Sequence, residues 1–307
     1  GKELWDPNPQ LKSMALGEAS VFRWRDTSGH RWVAGLLKPP NYSTGERYPL
    51  VIQTHGFTPT EFITDGSYTT AFAARPLAAC GIVVLQTEDN NTHIATARES
   101  TDQLMGYASA IKELDGLGLI DPKRVGIIGF SRTGYYVEAA LVEKPQLFAA
   151  ASFADGSQES YLQALFWDVT ATEASHIYSA PPYGAGLQEW TRRAPGFRLN
   201  RVRAPVIMTM IGPTSLIFGW EMYASLQLQK KAVDLVYIPE GRHVLQKPLE
   251  RLASQQTTVD WFRFWLQGYE DPASTKGEQY RRWERLCDLQ IKNNPDRPVF
   301  CVRSKTY

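Results

Sequence analysis

The segment Val125-Gly-Ile-Ile-Gly-Phe-Ser131-Arg-Thr-Gly134 carries the strongest chemical signal in the chain. An apolar run of strand length ends in Gly129-Phe130-Ser131, and a helical pattern begins at Thr133. A serine on such a strand-to-helix turn has its hydroxyl pushed clear of the sheet edge, the layout of a nucleophile elbow. The helix N-terminus beneath it favours negative charge, and the amide of Arg132 can face an oxyanion. The pattern departs from Gly-x-Ser-x-Gly in one place. Thr133 stands where the second glycine would be, and Gly134 follows one residue later. Strand and helix pass closely at that point, so a threonine there is a tight fit.

A nucleophilic serine needs a base. Of the five histidines, His243 follows the last strand-like run, in Pro239-Glu-Gly-Arg-His243. In a parallel sheet that places it at the carboxyl edge beside the elbow, and the chain order Ser then His fits this arrangement. His30 sits in a turn, His93 in a polar loop and His176 in a long insertion, so these three read as structural. His55-Gly56-Phe57 ends an earlier strand, where a second oxyanion donor arises in such folds; the Phe57 amide is the candidate. A turn glycine beside a capped histidine would give the same three residues.

The acid that orients the base is the least determined member. The run Val206 to Ile211 is followed by Gly212-Pro-Thr-Ser215, with no carboxylate. Glu221 is the first acid downstream and the expected partner of His243. Asp155, just after the run Ala149 to Phe153, is the alternative, since a carboxylate one strand earlier can reach the same imidazole. A Ser-His dyad is the remaining case. The chemistry of the set is acyl transfer through a covalent intermediate.

These residues need a scaffold that brings strand ends together. Strand-length runs at Val21 to Trp24, Trp32 to Leu37, Leu50 to Thr54, Ile82 to Gln86, Val125 to Phe130, Ala149 to Phe153, Val206 to Ile211 and Val233 to Ile238 alternate with helical stretches. The helical stretches are Tyr68 to Cys80, Thr96 to Leu114, Thr133 to Val142, Gly219 to Lys230 and Pro248 to Leu266. Several strands are apolar throughout, as parallel strands covered on both faces are. The expected architecture is a doubly wound, mostly parallel α/β sheet of about eight strands with helices on both faces. The first two runs form a hairpin-like pair around Asp26-Thr-Ser-Gly29.

Residues 156–203 interrupt the rhythm with about fifty residues rich in aromatics and prolines, either a lid or an extra helical layer. Tyr161, Trp167, Tyr183 and Trp190 are its candidate substrate-binding aromatics, and Arg192 and Arg193 can meet substrate carboxylates or form a solvated charged face. The expected domains are residues 1–20 as a linker, 21–270 as the catalytic domain and 271–307 as a helical tail. In the tail Thr275-Lys-Gly-Glu278 fits a capping box, and Tyr280, Trp283, Leu286 and Leu289 recur at helical spacing.

Composition narrows the function classes. The 307 residues are 43% apolar and 21% charged, with a net charge of +1. This excludes a disordered or collagen-like chain and removes the electrostatic argument for nucleic acid. No apolar run is long enough for a membrane span. The chain starts Gly1-Lys2-Glu3, with no leader pattern and no initiator Met, as a processed chain or excised fragment would. Cys80 reads as a buried free thiol; Cys287 and Cys301 can close a short loop, which would favour an oxidising compartment. No Cys/His cluster has metal-ligand spacing, and no cofactor is implied.

The elbow, His55-Gly-Phe57 and Gly241-Arg-His243 resemble the α/β-hydrolase catalytic domain of prolyl oligopeptidase-type serine peptidases. Within that group, Gly129-Phe-Ser-Arg-Thr133, Gly212-Pro-Thr-Ser-Leu216, His243-Val-Leu-Gln-Lys-Pro248, Gln255-Gln256 on to Val259-Asp-Trp-Phe-Arg-Phe-Trp265, and Gln279-Tyr-Arg-Arg-Trp283 together resemble the lasso-peptide isopeptidases. The resemblance runs over essentially the whole chain. It implies cleavage of the Asp/Glu side-chain isopeptide bond of a threaded peptide. It implies Ser131, His243 and an acid as catalysts, the amides of Arg132 and Phe57 as oxyanion donors, and no cofactor. It also implies an N-terminal β-propeller partner in the same protein, with Trp5-Asp-Pro-Asn-Pro9 as the linker after it. The sequence leaves the compartment open between periplasm and cytoplasm, with periplasm favoured if Cys287 and Cys301 are bridged. The departures from the resemblance are the absent aspartate near Ser215 and the absence of the propeller from these 307 residues. A general carboxylesterase, a prolyl oligopeptidase-like peptidase and an inactive hydrolase-fold binding module are the competing expectations.

Overall fold

The computed structural model describes residues 5–59, 68–156 and 160–302. Gly1 to Glu3 and the last five residues of the expected tail lie outside them. The strands are β1 (Ala19–Arg25), β2 (Arg31–Leu37), β3 (Tyr48–Gln53), β4 (Val83–Thr87), β5 (Ile120–Phe130), β6 (Ala150–Ala154), β7 (Val206–Ile211) and β8 (Val233–Ile238). They form one sheet in the order β1-β2-β4-β3-β5-β6-β7-β8. The β1–β2 hairpin pairs antiparallel with β4, and every pairing from β4 onward is parallel. This is the expected eight-stranded, mostly parallel sheet.

Alternation along each central strand divides its side chains between two cores, as a period of two requires. Leu50, Ile52, Val83, Leu85, Val125 and Ile127 face one side, where α2 (Glu99–Gly116) and α3 (Thr133–Glu143) cover them. Val51, Val84, Ile128 and Phe130 face the other, beneath α1 (Ala74–Ala79), α8 (Pro248–Gln267) and α9 (Gly277–Asn293). The remaining helices are α4 (Tyr161–Phe166), α5 (Asp168–Tyr178), α6 (Leu187–Arg193) and α7 (Gly212–Leu228).

Three expectations change. The helix expected from Tyr68 shortens to α1, because Ala71 has φ of 62° and Thr69 and Thr70 spend their hydroxyls on the loop after β8. The helix expected from Gly219 starts seven residues earlier, at Gly212, where Pro213 suits the first turn. The capping box at Thr275 does not form: Thr275 lies in a 3₁₀ turn (Ser274–Lys276), and α9 starts with no side-chain cap.

The tail packs on the second core through Tyr280, Trp283 and Cys287. The Trp283 indole donates to Asp234 of β8 at 2.8 Å, and Lys276 pairs with buried Asp260 of α8. Cys287 and Cys301 form a disulfide, while Cys80 is free. Closing a loop of this size stabilises a chain by about 3 kcal/mol. Urea unfolding of Cys301→Ser should show a loss of that order; an unaltered midpoint would mean that the packing of α9 alone holds the tail.

Candidate active site

Ser131 follows β5 with φ of 54°, a left-handed conformation that lifts its side chain off the sheet. The turn needs Gly129, since a Cβ there would lie 2.6 Å from the Thr133 carbonyl oxygen and 2.7 Å from Val137. Thr133 is accommodated by hydrogen bonding. Its buried hydroxyl accepts the Phe130 amide at 3.0 Å, reaches the Phe130 carbonyl at 2.8 Å and meets the Thr54 hydroxyl at 2.7 Å. The close helix approach falls to Gly134, whose Cβ would lie 2.8 Å from Gly156 Cα.

His243 lies in the loop after β8 and leans back across the strand ends. Its Nε2 is 2.8 Å from Ser131 Oγ, and its Nδ1 is 2.6 Å from Asp155 Oδ2. The ring stacks on buried Phe130 with centroids 4.6 Å apart. Its carbonyl accepts the Thr70 hydroxyl at 2.9 Å, which fixes the loop from below. The imidazole is half exposed, whereas the Asp155 carboxylate is only 8% exposed. Asp155 follows β6, whose place in the sheet is between β5 and the β7–β8 pair. A carboxylate there meets the ring on the side away from Ser131.

The acid beside His243 is therefore Asp155 and not the expected Glu221. Because α7 starts directly at the end of β7, Glu221 falls in its third turn, about 13 Å along the axis from the strand end. There its Oε2 accepts the Leu162 amide at 3.1 Å and lies near Glu138 of α3. Glu138 is buried, and its Oε2 has no hydrogen-bond partner among the described residues. Burial first, and the charge of Glu221 second, raise its pKa well above the usual carboxylate range. A group raised on folding contributes stability below its unfolded pKa of about 4.3 and loses it as pH climbs through the raised value. Glu138→Gln should therefore raise the thermal midpoint at pH 8 and leave that at pH 4 unmoved. Equal midpoints for the two proteins at pH 8 would refute a neutral Glu138.

The residue after the serine anchors the elbow. Arg132 forks onto Glu99 of α2, with Nε to Oε1 at 2.7 Å and Nη2 to Oε2 at 2.8 Å, and its Nη1 reaches Glu173 of α5 at 2.9 Å. Glu99 is fully buried and also accepts the Tyr136 hydroxyl at 2.7 Å and the Ala95 amide at 2.6 Å. Burial works against the Arg132 charge, but hydrogen bonds to Glu99 and then Glu173 outweigh it and raise the guanidinium pKa. The Arg132 amide thus heads α3 on a fixed side chain. Across the site, His55 and Gly56 take φ of 74° and 108°, and the Gly56 amide donates to the Thr87 carbonyl at 3.1 Å, turning the chain before Phe57.

A cavity of about 430 Å³ opens at Ser131, Asp155 and His243, with walls from Gln163, Trp167, Ile211, Thr214, Ser215 and Phe218. Of the four aromatics expected at the substrate, Trp167 lines it. Trp190 is fully buried, donates to the Ala180 carbonyl at 2.8 Å and belongs, with Ala174, Ile177 and Tyr178, to the same core as the α2–α3 face of the sheet. Tyr161 packs edge-on against Trp190, and Tyr183 is exposed outside the cavity. Arg192 and Arg193 share Glu189 and border a separate cleft with Arg198, away from Ser131. The insertion is thus an extra helical layer, one edge of which walls the cavity. Sequence reasoning missed Phe130 as the platform under His243 and Phe218 as a cavity wall. The run Leu216-Ile-Phe218, just after the β7 strand end, was the available signal for the wall.

A model of the prolyl oligopeptidase family matches residues 90–269. The chain belongs to that family. The lasso peptide isopeptidase AtxE2 of Asticcacaulis excentricus is 28% identical over 96% of this chain and 44% of its own length. A solved structure of AtxE2 isopeptidase with Astexin3-dC4 bound superposes with a TM-score of 0.80 at 26% identity, covering 94% of this chain and 46% of that one. An acylaminoacyl peptidase of Pyrococcus horikoshii shares the fold, with a TM-score of 0.69 at 18% identity over 90% of this chain. The chain spans less than half the length of the curated relative it matches. Among the described residues of this family member, no helix is long and apolar enough to cross a membrane, and no group of three or more His, Cys, Asp or Glu could hold a metal.

Proposed function

We propose that this chain is the catalytic part of a serine isopeptidase that opens the Asp or Glu side-chain amide of a lasso peptide. The observation that carries the reading is the relay from Ser131 Oγ through both ring nitrogens of His243 to Asp155, at 2.8 Å and 2.6 Å, at the mouth of a cavity. The likeness to AtxE2 supplies the substrate class. Ser131 attacks the side-chain carbonyl while His243 Nε2 takes its proton. The amides of Arg132 and Phe57 hold the oxyanion. Collapse breaks the C–N bond, and the leaving α-amine takes the proton from His243. Water, deprotonated by the same ring, then hydrolyses the acyl-serine ester and frees the carboxylic acid. Asp155 keeps the ring in the tautomer with Nδ1 protonated and stabilises the imidazolium.

The β-propeller implied by the family resemblance would be this domain's partner in the full protein and would select the substrate. The Cys287–Cys301 disulfide fits an oxidising compartment such as the periplasm.

Intact-mass labelling with a fluorophosphonate tests the nucleophile. A single adduct that disappears in Ser131→Ala and collapses in His243→Ala is expected; an unlabelled wild-type chain would favour an inactive binding module. Incubation with a lasso peptide should add one water to its mass. Rapid hydrolysis of small esters with every amide left intact would support a carboxylesterase instead.

A further inference from the structure

The imidazole of His243 is half exposed, so its place depends on the backbone that carries it. That backbone lies in the loop between β8 and α8, outside the sheet. Thr70, far away in sequence, supplies the partners that a neighbouring strand would. Its side chain is fully buried, and its hydroxyl accepts the Leu245 amide at 3.1 Å and donates to the His243 carbonyl at 2.9 Å. An amide can only donate, so the hydroxyl proton goes to the His243 carbonyl. One side chain thus brackets Val244 and satisfies a backbone group on either side of it. The Thr69 hydroxyl adds a bond to the Leu245 carbonyl. Thr70 is itself held from behind. Ala71 takes φ of 62°, which an alanine keeps only where its surroundings enforce it. Its amide donates to the buried Ser254 hydroxyl at 2.9 Å, and the Phe72 carbonyl accepts Gln255 Nε2 at 2.8 Å, both from α8. The same segment flanks the platform under the imidazole: the rings of Tyr68 and Phe72 lie 5.3 Å and 6.1 Å from that of Phe130.

We infer that Thr70, assisted by Thr69, is a positioning residue for the catalytic base. The inference rests on Ser131 as nucleophile and His243 as base. Thr70 touches no reacting group; it acts by keeping both ring nitrogens of His243 in register with Ser131 Oγ and Asp155. Packing alone does not call for its hydroxyl. Ala71 and Phe72 beside it belong to the apolar core under α8, where a valine of the same shape would also fit. What the hydroxyl adds is a fixed height for the His243 backbone. The segment therefore reaches the imidazole by two routes, through the His243 carbonyl and through the ring of Phe130. Both routes lead back to α8, so the base is anchored on a helix that carries no catalytic group.

The test is fluorophosphonate labelling run to saturation, which separates the maximal rate from the half-saturating concentration. In Thr70→Val the maximal rate should fall about thirtyfold, as a base displaced by a fraction of an ångström would cause. The half-saturating concentration should stay within about twofold, because Thr70 is not in the binding cavity. Thr70→Ser restores the hydroxyl and should recover to within about threefold of wild type. Proton NMR gives a second readout. The proton between His243 Nδ1 and Asp155 lies in a 2.6 Å bond and should resonate far downfield. It should broaden or move upfield in Thr70→Val and return in Thr70→Ser. A folded Thr70→Val that labels at the wild-type rate, or that loses only affinity, overturns the inference, as does a Thr70→Ser no faster than Thr70→Val. Should Thr70→Val fail to fold, Thr69→Val decides: a rate about threefold slower and a shifted downfield proton are expected, and a wild-type rate with the proton unmoved overturns the inference. A wild-type chain that takes no label overturns the nucleophile and the positioning role together.

Discussion

Asp155→Asn should lower kcat for any substrate the chain turns over by about 10⁴-fold, with KM little changed. The amide keeps the shape of the carboxylate but presents an N–H to His243 Nδ1, which forces the opposite tautomer and leaves Nε2 without a free lone pair for the Ser131 hydroxyl. It also removes the charge that stabilises the imidazolium once the proton has moved. Glu221→Gln, by contrast, should stay within about twofold of wild type, because the carboxylate touches no reacting group. Fluorophosphonate labelling rates give both numbers without a peptide substrate. A collapse in Glu221→Gln with Asp155→Asn unaffected would reverse the assignment and require α7 to move.

Glu99→Ala is expected to be the most damaging single change to stability, at about 3–5 kcal/mol in urea unfolding. Removing this fully buried carboxylate strands the Arg132 guanidinium, which is 25% exposed, and deprives the Tyr136 hydroxyl of its acceptor. The penalty comes from the unpaired charge left behind more than from the pair itself. Glu173→Ala removes the other partner of Arg132, but that carboxylate is 37% exposed and water replaces it, so the loss should stay below about 1 kcal/mol. Similar losses in the two variants would mean that solvent reaches Glu99. The folded fraction of Glu99→Ala should also label slowly, since the residue proposed to donate the oxyanion amide has lost the fork that holds its side chain.

The elbow and the base were legible because each is local: a glycine before a tight turn, a serine at its crest, a histidine just beyond a strand. The parallel order followed from strands without a polar face. Asp155 against Glu221 was not a local question. Which strand end the imidazole leans over depends on the path of the loop after β8 and on the ring of Phe130 beneath it. Glu221 looked well placed only while α7 was expected to start at Gly219; once Pro213 opens the helix, the acid is carried away from the strand end. Aromatics misled in both directions. Trp190 sat in a polar, proline-rich stretch and proved to be fully buried in the main core, whereas Phe166 and Trp220 sat in apolar runs and proved exposed. Burial of a large ring is decided by the neighbouring element, and its own segment does not reveal that element.

The threonine in the elbow has a corollary for substitution. Thr133 is held by two backbone groups of Phe130 and by Thr54, a residue seventy-nine positions away. The two hydroxyls form an epistatic pair: Thr54→Val would leave the hydroxyl of Thr133 with fewer partners in a dry crevice, and a lone glycine at 133 would do the same to Thr54. Neither Thr54→Val nor Thr133→Gly is then energetically independent of the other. A strict Gly-x-Ser-x-Gly search would pass over this elbow.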